Sequence, residues 1–318
     1  MNVLVPGGCG YVGAMLVPHL LAAKHHVTVY DAQWFGDGWL PKENGHLSVI
    51  KGDIRDIDLF AEACKGQDAI VYLAGLTNND FYEKCRELGD IVNRVIFPNI
   101  IDVAKEAKVK RFVLASSVAV YGSSDHEATE DEYIEPTTLY AKAKAFCEYE
   151  ALLHTEPTFA VTVVRSASVC GESSRMRFDT TVNKMTHDAM RTGTITVNGG
   201  EQKRSHIHMH DICKAYIQLL NLPTNVIEGE IFNYVGENQR VADTALTVSA
   251  ATGAIIKKEE RTDNRSYSVS GHKARRILGF EPKKTVRDAV EYMVMKFRAG
   301  KWKDSHAPQY KNFYPDAA

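Results

Sequence analysis

The chain has 318 residues, 44% of them apolar and 25% charged, and its 38 basic and 40 acidic residues leave a net charge of −2. That composition supplies the core of an ordinary globular protein, suits two lobes better than one, and excludes general disorder. The charge gives no reason to expect nucleic acid, and no run approaches the roughly 20 apolar residues of a membrane span.

Gly7, Gly8, Gly10 and Gly13 break the apolar N-terminus before it can read as a secretion signal. The six cysteines are scattered with no C-x-x-C pair, which reads as reduced core thiols in a cytoplasmic protein. Asn2 to Pro6 reads as a strand, and Tyr11 to Leu21 carries apolar residues at helical spacing. Further strands are predicted at His26 to Tyr30, Leu47 to Lys51, Ala69 to Leu73 and Arg111 to Ala115, with a helix through Ile96 to Ala104 before the last. A helix carrying Tyr140, Lys144 and Cys147 leads to a strand at Phe159 to Arg165. Strands alternating with helices imply a doubly wound α/β domain of Rossmann type, a parallel sheet covered on both faces. Residues 1–170 are assigned to it.

After Gly171 the rhythm changes. An arginine-bearing loop precedes a helix near Val182 to Arg191, then short strands at Thr194 to Asn198 and Ser205 to His208. Helices follow near Asp211 to Leu220, Asp243 to Ala251 and Val286 to Phe297. Residues 171–318 are expected to form a smaller α/β lobe that binds substrate, with segments near 205–235 returning to the large sheet. The tail from Lys301 has aromatics but no period, so its docking is unreadable.

Strand one runs into Gly7-Gly8-Cys9-Gly10-Tyr11-Val12-Gly13, which satisfies G-x-x-G-x-x-G. Glycine gives a tight turn, close approach to a pyrophosphate and close helix packing, and the helix start offers amides to phosphate. An ordinary turn could carry the same glycines; the strand before, the helix after and Asp31 at the end of the second strand favour a dinucleotide site. An acidic residue there accepts from the adenosine ribose and repels a 2′-phosphate, so NAD is expected over NADP. Asp53 and Ile54, after the third strand, are candidates for the adenine.

Tyr140 and Lys144 stand at i and i+4, on one helix face. A neighbouring cation lowers a phenol's pKa and makes it a usable base. Ser117 closes the fifth strand at the edge where ligands collect. His206, His208 and His210 could share one strand face beside Asp211, which can be read as a metal site, but no metal is assigned.

With these residues the sequence resembles the extended short-chain dehydrogenase/reductases, in the branch of NAD-dependent nucleotide-sugar epimerases and dehydratases, and most of all the UDP-galactose 4-epimerase group. The resemblance spans most of the chain and includes Leu73-Ala74-Gly75, Val92-Asn93, Ser116-Ser117, Tyr140 to Lys144, and Arg204 with Ile207 to Asp211. It implies that Tyr140 is the base, that Lys144 holds the nicotinamide ribose, and that Ser117 orients the sugar hydroxyl. Its Ile-His-Val-x-Asp pattern implies that Ile207 to Asp211 is a strand-to-helix turn with Asp211 as N-cap, in place of a metal site. Asn93 with Leu73, Ala74 and Gly75 would line the cofactor. Arg204, Asn183 and Arg265 match phosphate-contacting positions, and Arg175 and Arg177 are further candidate substrate contacts, each equally readable as a solvated charge. A nucleotide-diphosphate sugar is the implied ligand, and a homodimer is common in the family.

The sequence departs from the pattern at Ser168, Thr77 and the Ser174–Asp179 loop, which is similar to enzymes of bacterial surface-polysaccharide synthesis. Dehydratases of the family carry Asp-Glu after the hydroxyl residue; Val118 and Ala119 stand there. An epimerase acting through a transient 4-keto sugar is the first reading. A 4-dehydrogenase and a non-catalytic NAD sensor are the alternatives.

Overall fold

Seven parallel strands form the central sheet of the computed structural model, which describes residues 1–77, 79–260, 266–310 and 312. Their order is Glu230–Tyr234, Ala160–Ser166, Arg111–Ser117, Ala69–Tyr72, Asn2–Pro6, His26–Asp31, Leu47–Lys51. Alternation of side chains splits each strand between two cores. Val3 and Val5 join the cluster beneath the helices Gly13–Ala22 and Met209–Asn221. Leu4 and Ile70 join the other, beneath Ile57–Cys64, Phe97–Glu106 and Leu139–Leu153. This is the Rossmann-type α/β sheet that the strand–helix rhythm implies.

The strand order reverses at Asn2–Pro6, which pairs with His26–Asp31 on one side and Ala69–Tyr72 on the other. Loops leaving these strands in opposite directions open a crevice at their C-terminal ends. Ser117, Tyr140 and Lys144 open onto that edge.

Residues after Ser166 form smaller sheets. Ser168–Cys170, Lys203–His208 and Glu237–Arg240 make one of three strands, and Thr194–Asn198 pairs with Ile255–Glu259. A separate core of Val182, Met185, Ile195, Val248, Val290 and Val294 holds the helices Thr181–Thr192, Val241–Thr252 and Val286–Arg298 to them. The chain re-enters the large sheet at Glu230–Tyr234, in register with Thr162 to Ser166.

The histidine triplet departs from expectation. The strand ends at His208, and His210 already lies in the helix Met209–Asn221. His208 is the N-cap, its Nδ1 accepting from the His210 amide at 3.0 Å. Asp211 sits within the first turn, where its carboxylate accepts from the Lys283 and Lys284 amides at 3.0 and 2.9 Å. Its job is to hold the approach to the Val286–Arg298 helix rather than to cap its own. Among the described residues no cluster of His, Cys, Asp or Glu is arranged to hold a metal ion.

Candidate active site

A cleft of about 400 Å³ runs along the crevice. Its floor is the glycine turn, and three of its glycines are there for different steric reasons. Gly7 turns the chain at φ +81°, and a Cβ on it would lie 2.7 Å from the Ala74 nitrogen. A Cβ on Gly13 would meet the Gly8 Cα at 2.5 Å, so the helix could not start so close to the strand. Gly10 is looser, its nearest contact the Gly7 carbonyl at 3.2 Å. Val12 caps the helix with no side-chain bond, and the Ala14 and Met15 amides turn back to the Gly10 and Val12 carbonyls at 2.9 and 3.1 Å, so it is the turn before them that offers amides to the cleft. A backbone cradle at a helix start is the arrangement a dinucleotide pyrophosphate requires, so the residues present fit the cofactor. Tyr11 and Val12 also line the cleft, although the Tyr11 hydroxyl points away to the Gly171 carbonyl at 2.6 Å.

Asp31 is held at the cleft by two amides, Cys9 at 2.9 Å and Gln33 at 2.7 Å. Burial raises its pKa, and those amides and Arg175 oppose the rise. Asp53 and Ile54 line the same end. The Asp53 carboxylate is gripped by the Arg55 fork at 2.9 and 2.7 Å; burial pushes its pKa up, and the fork more than reverses this.

Leu73, Ala74 and Gly75 form the opposite lip, but Asn93 is not at the cleft surface. It stands behind, in the π-turn Ile91–Val95, accepting from the Leu76 amide at 2.7 Å and donating to the Leu76 carbonyl at 2.8 Å. Asn93 therefore braces the lip. Gly75 is needed for that contact, since at φ +145° a Cβ would lie 2.9 Å from the Asn93 oxygen.

Ser117, Tyr140 and Lys144 all open onto the cleft. Ser117 ends its strand and caps the short turn Val118–Tyr121, its Oγ accepting from the Ala119 amide at 3.2 Å. Thr138 caps the helix that presents Tyr140 one turn before Lys144. Lys144 is only 5% exposed, with its ammonium donating to the Ala115 carbonyl at 2.8 Å. Behind these residues lies a buried pair: Arg165 forks Glu148 at 2.7–3.1 Å, Glu148 accepts from Ser116 Oγ, and Arg165 reaches the Tyr121 hydroxyl at 2.8 Å.

The phosphate candidates divide. Arg177 and Arg175 line the cleft. Arg177 forks Asp179 at 2.6 and 2.7 Å and reaches Thr77 Oγ1 at 3.2 Å. Arg175 lies over the Phe35 ring at 3.8 Å, with burial pushing its pKa down to about 9. It is near Asp31 on the side given to the cofactor, not a solvated charge. Asn183 is fully buried and outside the cleft, bonded to the Gly171 amide, the Tyr11 hydroxyl and the Arg177 carbonyl. Those bonds occupy the amide in joining loops. Arg204 is buried on its strand, its guanidinium 5.1 Å from the Tyr267 ring. It is Tyr267 that reaches the cleft wall. Arg265 lies outside the described residues.

Sequence reasoning missed Phe35, Thr180, Tyr216 and Asn312. Phe35 lies beyond the second strand, so the strand-edge rule could have found it. Asn312, in an aperiodic tail, carries no such signal.

Comparison with known proteins agrees with this geometry. The chain is 27% identical to the dTDP-glucose 4,6-dehydratase of Streptomyces niveus, across 97% of this chain and 96% of the relative. It is 25% identical to the UDP-glucose 4-epimerase of Lactobacillus helveticus, across 98% and 100%. The dTDP-glucose 4,6-dehydratase of Streptomyces venezuelae, solved with NAD bound, superposes with a TM-score of 0.85 at 26% identity, covering 95% of this chain and 98% of that one. The family model for NAD dependent epimerases and dehydratases matches residues 3–234, from the first strand to the last of the large sheet. The chain therefore belongs to the NAD dependent epimerase/dehydratase family.

Proposed function

We propose that this enzyme is a nucleotide-sugar epimerase working through a transient 4-keto sugar. The observation that carries the reading is that Ser117, Tyr140 and Lys144 open onto the same cleft as the glycine cradle. NAD, when bound, would accept a hydride from the sugar C4 and give it back. Tyr140 takes the proton of the C4 hydroxyl as the C–H bond breaks, and returns it to the ketone oxygen when hydride comes back on the other face. Lys144 stands one helical turn from the phenol, and one of its ammonium's three donors is spent on Ala115. Ser117 orients the reacting hydroxyl. Asp31 and Asp53 hold the adenosine end. A nucleotide diphosphate is recognised from the second lobe, with Arg177 the best-placed cation.

Some relatives are dehydratases, but their acid–base positions are occupied here by Val118, which is buried, and Ala119, which lines the cleft. Neither can move a proton. The test is purified enzyme with a panel of nucleotide sugars, following NADH absorbance and product stereochemistry together. Epimer formation with no net NADH supports the reading. Stoichiometric NADH makes the protein a dehydrogenase, and no turnover of any sugar refutes both.

A further inference from the structure

The C-terminal segment enters the cleft. Trp302 packs edge-on against Phe178 and Phe297, with centroids at 5.6 and 4.8 Å. Ser305 is bonded by His187 at 2.9 Å and Arg191 at 2.8 Å, and Tyr310 lies against Phe178 at 5.7 Å. Phe178, Phe297, His187 and Arg191 thus bolt the segment to the second lobe before it reaches Asn312.

Asn312 then bonds in two directions. Its Nδ2 donates to the Thr77 carbonyl at 2.9 Å and to Thr77 Oγ1 at 3.0 Å. Its Oδ1 accepts from Arg175 at 2.7 Å, and Arg175 lies flat on Phe35. Phe35 follows the second strand and Thr77 the fourth, the two strands that flank the first strand, which leads into the glycine turn. The row Phe35, Arg175, Asn312, Thr77 therefore joins the two lips of the crevice across the glycine turn.

We propose that this row is a clasp that retains the dinucleotide, and that Asn312 is the residue that fastens it. The proposal rests on the reading of the groove as the NAD site. The physical argument concerns release: a ligand reaching from Asp31 to Lys144 occupies both sides of the glycine turn, and the lips must part for it to leave. Parting them breaks a charge-assisted bond from Arg175 and two further bonds of the Asn312 amide. An enzyme that returns its hydride within one turnover gains from a cofactor that stays. Arg177 reaches Thr77 from the same loop as Arg175, so the clasp also connects the cofactor groove to the loop proposed to meet substrate.

The experiment measures exchange of bound NAD for isotopically labelled NAD in the full chain, in Asn312→Ala, and in a chain stopped after Tyr310. Exchange at least tenfold faster in both variants, with AMP affinity within twofold of the parent, is expected, because AMP occupies only the Asp31 side. Exchange within twofold of the parent overturns the clasp. Equal loss of AMP affinity also overturns it, because it would show general distortion of the groove. If the parent itself binds no NAD, the reading of the groove fails and takes the clasp with it; the parent control separates that case from failure of the clasp alone.

Discussion

The Lys144 ammonium donates to the Ala115 carbonyl at 2.8 Å, tying the helix that presents Tyr140 to the strand that ends in Ser117. One bond thus couples the positions of all three groups assigned to chemistry. The charge that serves the phenol is also the pin that registers helix against sheet, and Lys144→Met should lower both turnover and NAD affinity.

Tyr140→Phe removes one oxygen and leaves the ring to pack. The variant should fold and keep NAD, while turnover of the best nucleotide sugar falls by about a hundred- to ten-thousandfold, the usual worth of a positioned base. Ser117→Ala should cost less, since it orients without accepting charge. Near-parental turnover by Tyr140→Phe would show that another group takes the proton.

Asp31 should set the choice of dinucleotide. The parent is expected to bind NAD more tightly than NADP, and Asp31→Ala to shrink the difference by ~1.5–3 kcal/mol, the value of hydrogen bonds to a charged group. Calorimetric titration of both dinucleotides checks this.

The Glu148–Arg165 pair is 3–4% exposed, and its members should be far more sensitive singly than together. Arg165→Met leaves a carboxylate buried without its cation and should cost ~3–5 kcal/mol in denaturant unfolding, whereas Glu148→Leu with Arg165→Met should recover much of that loss. Equal loss in the single and double variants would mean that packing, not charge, dominates there.

Acid should weaken the fold through His206. The ring is 1% exposed, both its nitrogens lack a hydrogen-bond partner among the described residues, and burial, aided by Arg204, pushes its pKa down from 6.5 to about 4. Between those values the unfolded chain binds the proton and the native one does not, so stability falls as pH drops through that window. The gap of 6.5 minus about 4 sets an upper limit of roughly 3 kcal/mol. Unfolding midpoints of the parent and His206→Gln between pH 7 and 4.5 should diverge, with the flatter profile in the variant.

The elements of the large sheet were legible because each is coded within a few residues: the glycine turn by its spacing, the Tyr140–Lys144 face by one helical turn, Asp31 by its place after a strand. The partners of Asn93 and Asn183 were illegible for the opposite reason. An amide bonds whatever tertiary neighbour meets it, and those neighbours, Leu76 and Tyr11, are 17 and 172 residues away. Arg204 shows the same limit, since its partner Tyr267 comes from a distant loop. The His triplet was misjudged by only two residues: the strand yields to helix as soon as His208 can cap it.

The strand Glu230–Tyr234 covers the flank of Ala160–Ser166, whose first six residues are all buried. Roughly sixty residues of the second lobe intervene before that cover arrives. Any chain ending within them would display a row of unpaired amides and carbonyls on an apolar strand, a template for pairing with other molecules. During synthesis the same bare flank persists until residue 234 has been made. Truncation between the lobes should therefore yield aggregate in place of an isolated cofactor domain.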